Sequence, residues 1–116
     1  MTLSDKQFKF VKDVNILLSF IINNGYKVTF GEAYRILYTQ KYYLDQGLAK
    51  TMNSKHLDKL AIDLNIFKNI GDEYKYTVYK KDIQFIGDFW ESLDKKNSWG
   101  GNWIKFTDTM HFERGY

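Results

Sequence analysis

The sequence contains no cysteine and no proline. The absence of cysteine excludes disulfide bonds and thiolate metal sites. Any transition-metal site must therefore use histidine, aspartate, glutamate and water, and the chain has only two histidines, His56 and His111. The same absence leaves the cellular compartment open, because a small domain without cysteine can work on either side of a membrane.

Long hydrophobic runs are also missing. The most apolar stretch, residues 14–22, is too short to span a bilayer, which needs about 20 apolar residues. Lysines precede this stretch, but acidic residues interrupt them and no small-residue cleavage site follows. We therefore expect a protein that is made in the cytoplasm without a signal peptide and that does not insert stably into a membrane.

Apolar and aromatic side chains are plentiful. Of the 116 residues, 44% are hydrophobic and 18% aromatic, which suffices for one compact core and one domain over residues 1–116. The net charge of +3 is consistent with ordinary solubility, and it would also help the protein to approach an anionic polymer. The lysines are scattered and no stacking motif is present, so we expect no nucleic-acid partner.

The hydrophobic pattern predicts an α+β fold, a small antiparallel sheet flanked by helices. Apolar residues at three- and four-residue steps predict helices over residues 4–22, from about residue 32, and over residues 82–93. Ser4 and Asp82 are the expected caps of the first and last helices. The expected core face of the first helix consists of Phe8, Val11, Val14, Leu18 and Ile21, and Phe10 and Leu17 widen it.

Alternating apolar and polar residues predict the strands. They occur at residues 26–30, at 60–67 and 74–79 as a hairpin, and at 110–113 as a closing strand. Within residues 60–67, Asp63 shares a face with Ala61 and Asn65, away from the core. A straight strand would separate Asp63 from His56 by about 23 Å, so the two can share a metal only if the chain folds back between them.

The segment Asp-Thr-Met-His-Phe-Glu, residues 108–113, offers one histidine and two carboxylates. His111 and Glu113 share a strand face, and Asp108 lies in the approach to the strand. Two histidines and one aspartate would make a three-ligand zinc site of the catalytic kind, in which water takes the fourth position. Spacing alone permits this site, but a lone histidine is more often an ordinary surface residue.

Three segments resemble one family of enzymes. Residues 54–63, SKHLDKLAID, resemble the S-x-H-x-x-G-x-A-x-D motif of the zinc D-alanyl-D-alanine carboxypeptidase and L-alanyl-D-glutamate peptidase family. Residues 99–113, WGGNWIKFTDTMHFE, resemble its W-G-G and D-x-x-H-F-E block, and residues 31–40 match its Arg and Gln segment more weakly. Its members include VanY-type enzymes and phage endolysins, and its fold is shared with the hedgehog signalling domain.

The resemblance implies a role for each matching residue. The zinc ligands would be His56, Asp63 and His111. Asp108 would be the catalytic base, and Glu113 would orient His111 or the water, with Glu113 as base the alternative. The substrate-binding and supporting residues would be Arg35, Gln40 and Ser54. Lys59 departs from the motif, because the family usually has glycine there, so lysine must adopt a glycine-like backbone or the bend must differ.

The resemblance further implies a zinc-dependent hydrolase that cleaves the peptidoglycan stem peptide. We expect a monomeric phage or prophage endolysin with L-alanyl-D-glutamate endopeptidase activity, which reaches the cell wall after release from the cytoplasm and needs no separate wall-binding domain. The alternatives are a carboxypeptidase that trims terminal D-amino acids and a non-catalytic zinc domain of the same fold.

Overall fold

The structure is a computed structural model that describes residues 1–49 and 54–116. It contains the helices α1 (Leu3–Asn23), α2 (Leu37–Asp45) and α3 (Lys80–Leu93), and short 3-10 turns at Lys55–Asp58 and Gly100–Asn102. Its strands are β1 (Lys27–Phe30), β2 (Ala61–Ile70), β3 (Glu73–Thr77), β4 (Asn97–Trp99) and β5 (His111–Arg114). The predicted α+β class, a small antiparallel sheet flanked by helices, is confirmed.

The long strand β2 organises the sheet. The strand order is β1-β2-β5-β4, all antiparallel, and β3 pairs with the far end of β2. The first residues of β2, 61–63, pair with β5, whereas residues 64–67 pair with β1 and residues 66–70 pair with β3. This register brings the predicted hairpin and the predicted closing strand onto one central strand.

The core lies between the sheet and the helices α1 and α3. On the core face of β2, Ile62, Leu64 and Ile66 are buried, as the alternation predicts. The largest side chains with no exposed surface include Trp90 of α3 and Trp99 of β4. Within the described ranges, no helix is both long enough and apolar enough to cross a membrane.

The buried face of α1 matches the prediction only in part. Phe8 and Val11 are 66% and 60% exposed. The buried residues of the helix are Phe10, Asp13, Val14, Leu17 and Ile21. Apolar residues occur on two overlapping helical phases, and the phase that is buried places the ring of Phe10 edge-on against Trp90, with ring centroids 5.6 Å apart.

The caps of the helices also differ from the prediction. Thr2, not Ser4, caps α1, because its side chain accepts from the N–H of Asp5 while Asp5 binds back to Thr2 in a capping box. At α3 the N-cap position is Tyr79, and the carboxylate of Asp82 instead accepts from Thr77 and from a lysine of β2. Asp82 therefore joins the helix to the hairpin.

Two glycines seat the indole of Trp99 and so fix the chain that leads into the last strand. A Cβ on Gly87 or on Gly101 would lie 2.1 Å from the Trp99 ring, so neither position has room for a side chain. The indole N–H of Trp99 donates to the carbonyl of Thr109 at 2.8 Å. The Trp-Gly-Gly segment therefore packs beside residues 108–113 and helps to fix their position.

Candidate active site

A tight bend joins His56 to Asp63. The 3-10 turn at Lys55–Asp58 is capped by Ser54, whose hydroxyl accepts from the N–H of His56 at 3.2 Å. Lys59 then adopts a left-handed conformation, with φ of 58°. The chain folds back, and His56 Nε2 lies 3.4 Å from Asp63 Oδ1. Lysine thus takes the backbone shape that glycine adopts more easily.

Strand pairing brings the second histidine to the same carboxylate. Asp63 of β2 and His111 of β5 are directly opposite each other in the antiparallel register. His111 Nδ1 lies 3.3 Å from Asp63 Oδ1. The rings of His56 and His111 meet edge to face, with centroids 5.0 Å apart. One ligand atom from each of the three residues lies within 4.8 Å of the others.

The hydrogen bonds of the two imidazoles direct electron pairs into this centre. His56 Nδ1 is 3.1 Å from the carbonyl of Ala33, which can only accept, so Nδ1 carries the proton. His111 Nε2 lies 2.8 Å from the Glu113 carboxylate and donates to it. The remaining nitrogens therefore face Asp63 Oδ1, a buried oxygen without a hydrogen-bond partner. Three acceptors around one point fit a cation, and the set of two histidines and one aspartate suits zinc.

Without a bound metal, a proton takes the place of the cation. Burial acts to lower the pKa of His111, but its contacts with the Asp63 and Glu113 carboxylates outweigh burial and raise this pKa to about 9. Burial acts to raise the pKa of Asp63, but its contacts with His111 and His56 lower this pKa to about 2. The centre therefore favours positive charge strongly.

Asp108 approaches the centre on a tightly packed loop. Its carboxylate accepts from the N–H of Met110 at 3.2 Å, and its carbonyl accepts from the N–H of His111 at 3.2 Å. The N–H of Asp108 donates to the carbonyl of Gly100. A Cβ on Gly100 would lie 2.3 Å from the Asp108 carbonyl oxygen, so the close approach of the two loops requires glycine.

Arg35 lies outside a helix, contrary to the prediction. The predicted helix from about residue 32 begins instead at Leu37, and Arg35 is in the preceding loop. Its Nη1 donates to Gln40 Oε1 at 2.6 Å, its Nε donates to Glu32 Oε1, and its guanidinium lies over the ring of Tyr43. The structure therefore brings the predicted residues Arg35 and Gln40 into direct contact.

The segment at residues 31–35, here called the strap, runs beside β2. The N–H of Gly31 donates to the carbonyl of Asp63 at 2.7 Å, and the N–H of Asp63 donates to the carbonyl of Glu32 at 2.8 Å. A Cβ on Gly31 would lie 3.0 Å from the Asp63 Cβ. The strap therefore continues the pairing of β1 with β2 and holds the backbone of Asp63 from the side opposite β5.

The strap also holds the first histidine. The ring of His56 donates to the carbonyl of Ala33, and the N–H of Arg35 donates to the carbonyl of His56 at 3.2 Å. Because backbone groups of the strap bond to Asp63 and His56, they are not available for the hydrogen bonds of a helix. This explains why α2 begins later than predicted.

All the predicted site residues border one cavity of about 520 Å³. These are Arg35, Gln40, Ser54, His56, Asp63, Asp108, His111 and Glu113. The lysines Lys55 and Lys105 and the indole of Trp103 also line it. Three cationic residues, Arg35, Lys55 and Lys105, thus line the same cavity as the carboxylates and imidazoles of the centre.

A family model described as D-alanyl-D-alanine carboxypeptidase, from the M15 peptidases, matches residues 48–114, which is more than half of the chain. The chain belongs to this peptidase family. The predicted family membership is confirmed, and the protein falls in the hydrolase class. The match covers both histidines, Asp63, Asp108 and Glu113.

The solved structures add support for the fold. The crystal structure of the L-Ala D-Glu endopeptidase ChiX from Serratia marcescens matches with a TM-score of 0.71 and 18% sequence identity, over 90% of this chain and 77% of that chain. At this identity the likeness shows the shared fold alone. No curated protein matches the chain.

Several residues near the centre of this M15 peptidase were not found from the sequence. Glu32 and Tyr43 hold Arg35, and the Trp103 ring lies with its centroid 5.0 Å from that of His111. The three-residue spacing of Glu32 and Arg35 could have indicated an ion pair. Tyr43 and the Ala33 carbonyl had no local signal, because long-range folding alone brings them to the site.

Proposed function

We propose that this M15-family chain is a zinc metallopeptidase that cleaves the stem peptide of bacterial peptidoglycan, with residues 1–116 acting as a single domain. The observation that carries the proposal is the convergence of His56, Asp63 and His111 in the cavity that Asp108 and Glu113 also line. The preferred bond is L-alanyl-D-glutamate, the bond named for ChiX, whose fold this chain shares.

His56 Nε2, Asp63 Oδ1 and His111 Nδ1 would hold the metal. A zinc ion bound there would polarise the scissile carbonyl and lower the pKa of the attacking water. Glu113 holds the Nε2 proton of His111, and this hydrogen bond orients the imidazole and increases its basicity.

Asp108 is proposed as the base that takes a proton from the attacking water and later delivers it to the leaving amine. Asp108 lines the cavity, and its carboxylate accepts from the N–H of Met110. Glu113 is the less suitable base, because one of its oxygens accepts from His111 at 2.8 Å.

Arg35 is proposed to bind an anionic part of the substrate. Its side chain is only 12% exposed and lines the cavity, and Glu32 and Gln40 accept from two of its five N–H donors. Among the described residues only these two side chains accept from the guanidinium, and its remaining donors at the cavity wall suit a carboxylate of the peptide. Gln40 would support Arg35, from which it accepts a hydrogen bond, and Ser54 would support His56 in the same way.

The decisive test is incubation of the zinc-loaded protein with purified stem peptides and intact peptidoglycan, with and without a chelator, followed by mass spectrometry. Fragments cut between L-alanine and D-glutamate, lost on chelation and restored by zinc, are the expected result. No cleavage of any stem peptide by the zinc-loaded protein would reject the proposal.

Replacement of Asp108 by Ala separates catalysis from metal binding. We expect hydrolysis to fall about 100- to 10,000-fold, the range for a lost general base, while zinc content and fold stay unchanged. Asp72→Ala, the identical change at an exposed position of the turn between β2 and β3, is the matched control. Undiminished hydrolysis by Asp108→Ala would refute the role of this carboxylate.

A carboxypeptidase that trims terminal D-amino acids is the second candidate, because the family model carries that description. Loss of a single terminal residue from the stem peptide, seen in the same mass spectra, would favour it. A non-catalytic zinc domain is the third candidate, and zinc binding without hydrolysis of any peptide would favour it.

The biological setting is part of the proposal. A monomeric phage or prophage endolysin that acts on the cell wall after release suits a compact peptidase of this kind. Neither a nucleic-acid partner nor stable membrane insertion belongs to this role. Sedimentation of the purified protein and lysis of bacteria on its export would test the setting.

A further inference from the structure

We propose that Glu32 is a positioning residue that holds the guanidinium of Arg35 at the cavity wall. Through this contact, Glu32 makes the enzyme prefer stem peptides with a free carboxylate, rather than a carboxamide, on the residue after the scissile bond. The inference rests on the proposed function, and it deepens that function by naming the substrate class.

Three contacts hold the guanidinium, and a fourth joins two of its partners. Arg35 Nε donates to Glu32 Oε1, and Arg35 Nη1 donates to Gln40 Oε1 at 2.6 Å. The Arg35 Cζ lies 4.8 Å from the ring centroid of Tyr43, and the Tyr43 hydroxyl donates to Glu32 Oε2 at 3.3 Å. The carboxylate therefore binds both the arginine and the tyrosine that supports it, and the planar guanidinium has one orientation.

Glu32 holds the arginine without occupying the substrate space. Arg35 and Gln40 line the cavity, whereas Glu32 is not among the described residues that line it. A carboxylate behind the arginine neutralises part of its charge and leaves the other donors for a ligand. An arginine side chain that is already held in one orientation loses less conformational entropy on binding a ligand than an unrestrained arginine would.

The free donors of Arg35 discriminate between a carboxylate and a carboxamide. A carboxylate offers only acceptors and can take two parallel N–H bonds from a guanidinium. A carboxamide turns an NH₂ group toward the same donors, so one bond is lost and a donor faces a donor. A site built around such hydrogen bonds rejects an analogue that cannot make them.

The main chain of Glu32 has a separate role. Its carbonyl accepts from the N–H of Asp63 at 2.8 Å, which supports the metal centre. A side-chain substitution leaves this bond in place. The effect of the side chain on substrate binding can therefore be separated from the effect of the strap on the metal centre.

The test uses Glu32→Gln, which keeps the shape of the side chain and removes its charge. The matched control is Glu73→Gln, an identical change at an exposed position of β3. kcat and KM are measured for the zinc-loaded proteins on two synthetic stem peptides, which carry either D-glutamate with a free α-carboxyl or its α-carboxamide. Zinc content is measured in each variant.

We expect the wild type and Glu73→Gln to prefer the carboxylate peptide by about tenfold or more in kcat/KM. Glu32→Gln should raise KM for the carboxylate peptide about tenfold, change kcat by less than about twofold, and largely abolish the preference. Its zinc content should equal that of the wild type.

Tyr43→Phe is the second variant, because it removes the hydroxyl that donates to Glu32 but keeps the ring under the guanidinium. We expect a KM increase of about threefold on the carboxylate peptide. This variant decides the question if Glu32→Gln does not fold.

Unchanged KM and unchanged preference in Glu32→Gln would overturn the inference, as would a fall in kcat together with loss of zinc. Equal cleavage of both peptides by the wild type would overturn it too, while leaving the peptidase function standing. Failure of the wild type to cleave either peptide, in contrast, would reject the proposed function itself.

Discussion

The two walls of the cavity are built in different ways. One, the sheet wall, consists of Asp63, His111 and Glu113 on the paired strands β2 and β5. The other, the loop wall, is carried by the segments 31–35 and 54–59, from which Arg35, Ser54, Lys55 and His56 line the cavity. These two segments are joined through single hydrogen bonds, such as that from His56 to the Ala33 carbonyl. Strand pairing places side chains by a repeating rule, whereas the loop wall depends on individual bonds between distant segments.

The two walls also divide the work of the site. The sheet wall supplies two of the three candidate metal ligands and the glutamate that orients one of them. The loop wall supplies the third ligand together with the arginine proposed to bind substrate. Changes in the sheet wall should therefore act mainly on metal binding, and most changes in the loop wall should act on substrate binding or on stability.

The largest effect is expected from His111→Ala in the sheet wall. Loss of a direct ligand should lower zinc affinity by more than the roughly 10- to 100-fold typical of outer-shell partners, and hydrolysis should disappear. Competition with a chromogenic chelator measures this affinity. Glu113→Gln is the control, with a drop of about tenfold, since glutamine still accepts from the His111 ring. Wild-type zinc affinity in His111→Ala would contradict the division between the walls.

Next in size is the expected effect of Gly100→Ala. The new Cβ would lie 2.3 Å from the Asp108 carbonyl oxygen and 3.1 Å from the His111 Cβ, so the loop that carries Asp108 must move. A displacement of about 1 Å at a catalytic group costs roughly 100-fold in rate, so we expect that loss in kcat.

Gly71→Ala is the control for Gly100→Ala. Gly71 has φ of +67°, and no atom lies within 4 Å of the position that a Cβ would take there, so the substitution strains only the hairpin turn. We expect a stability loss of about 1 kcal/mol and unchanged kcat. Equal kcat in the two alanine variants would show that the loop around Asp108 tolerates displacement.

The pH dependence of stability should reveal the charge of the sheet wall. The pKa of His111 is raised from 6.5 to about 9, so its stabilising contribution is complete below pH 6.5 and is lost as the pH rises through about 9. The pKa of Asp63 is lowered from 3.8 to about 2, so its contribution is present above pH 3.8 and is lost as the pH falls through about 2.

We therefore expect the metal-free protein to lose up to about 3 kcal/mol of unfolding free energy between pH 6.5 and 9. Urea unfolding in the presence of a chelator, at a series of pH values, measures this loss. His111→Gln should not show it. Saturating zinc should abolish it, because the metal takes the place of the proton. A flat profile in the metal-free wild type would count against the close contact of Asp63 and His111.

The smallest effect is expected from Lys59→Gly in the loop wall. The left-handed conformation of Lys59 costs roughly 1–2 kcal/mol, and glycine relieves it but gains entropy in the unfolded chain. We expect a net gain of about 0.5 kcal/mol in thermal or urea unfolding. Lys59→Ala keeps the strain and should bring no gain. A glycine variant less stable than the alanine variant would argue that the lysine side chain supports the bend.

The sheet wall could be predicted from local sequence. Alternation placed Asp63 away from the core and put His111 and Glu113 on one face, because the pleat of a strand has a fixed period of two. The α+β class followed from the same periodicities. The resemblance to a known family implied that Asp63 and His111 share a metal, but their direct strand pairing was not predicted, since register between distant strands has no local signal.

The loop wall could be predicted only in part. The helix expected from about Glu32 starts at Leu37, because backbone groups of the strap bond to Asp63 and His56. Arg35 was found through its motif, but Glu32 and Tyr43 were not, since their importance lies in contacts that folding creates. The prediction for α1 was wrong at Phe8 and Val11 for a similar reason, since two apolar stripes share that helix and the stripe that contains Phe10 packs against Trp90.

The chain's two imidazoles are tethered through opposite nitrogens. His56 is bound through Nδ1 to a carbonyl, and His111 is bound through Nε2 to a carboxylate. If a metal bound the other nitrogen of each ring, the two rings would be opposite tautomers, and nitrogen-15 resonances would distinguish them. A zinc titration followed by nitrogen-15 NMR would therefore report metal binding at each ring separately. It would show whether His111 on the sheet or His56 in the bend binds the ion first.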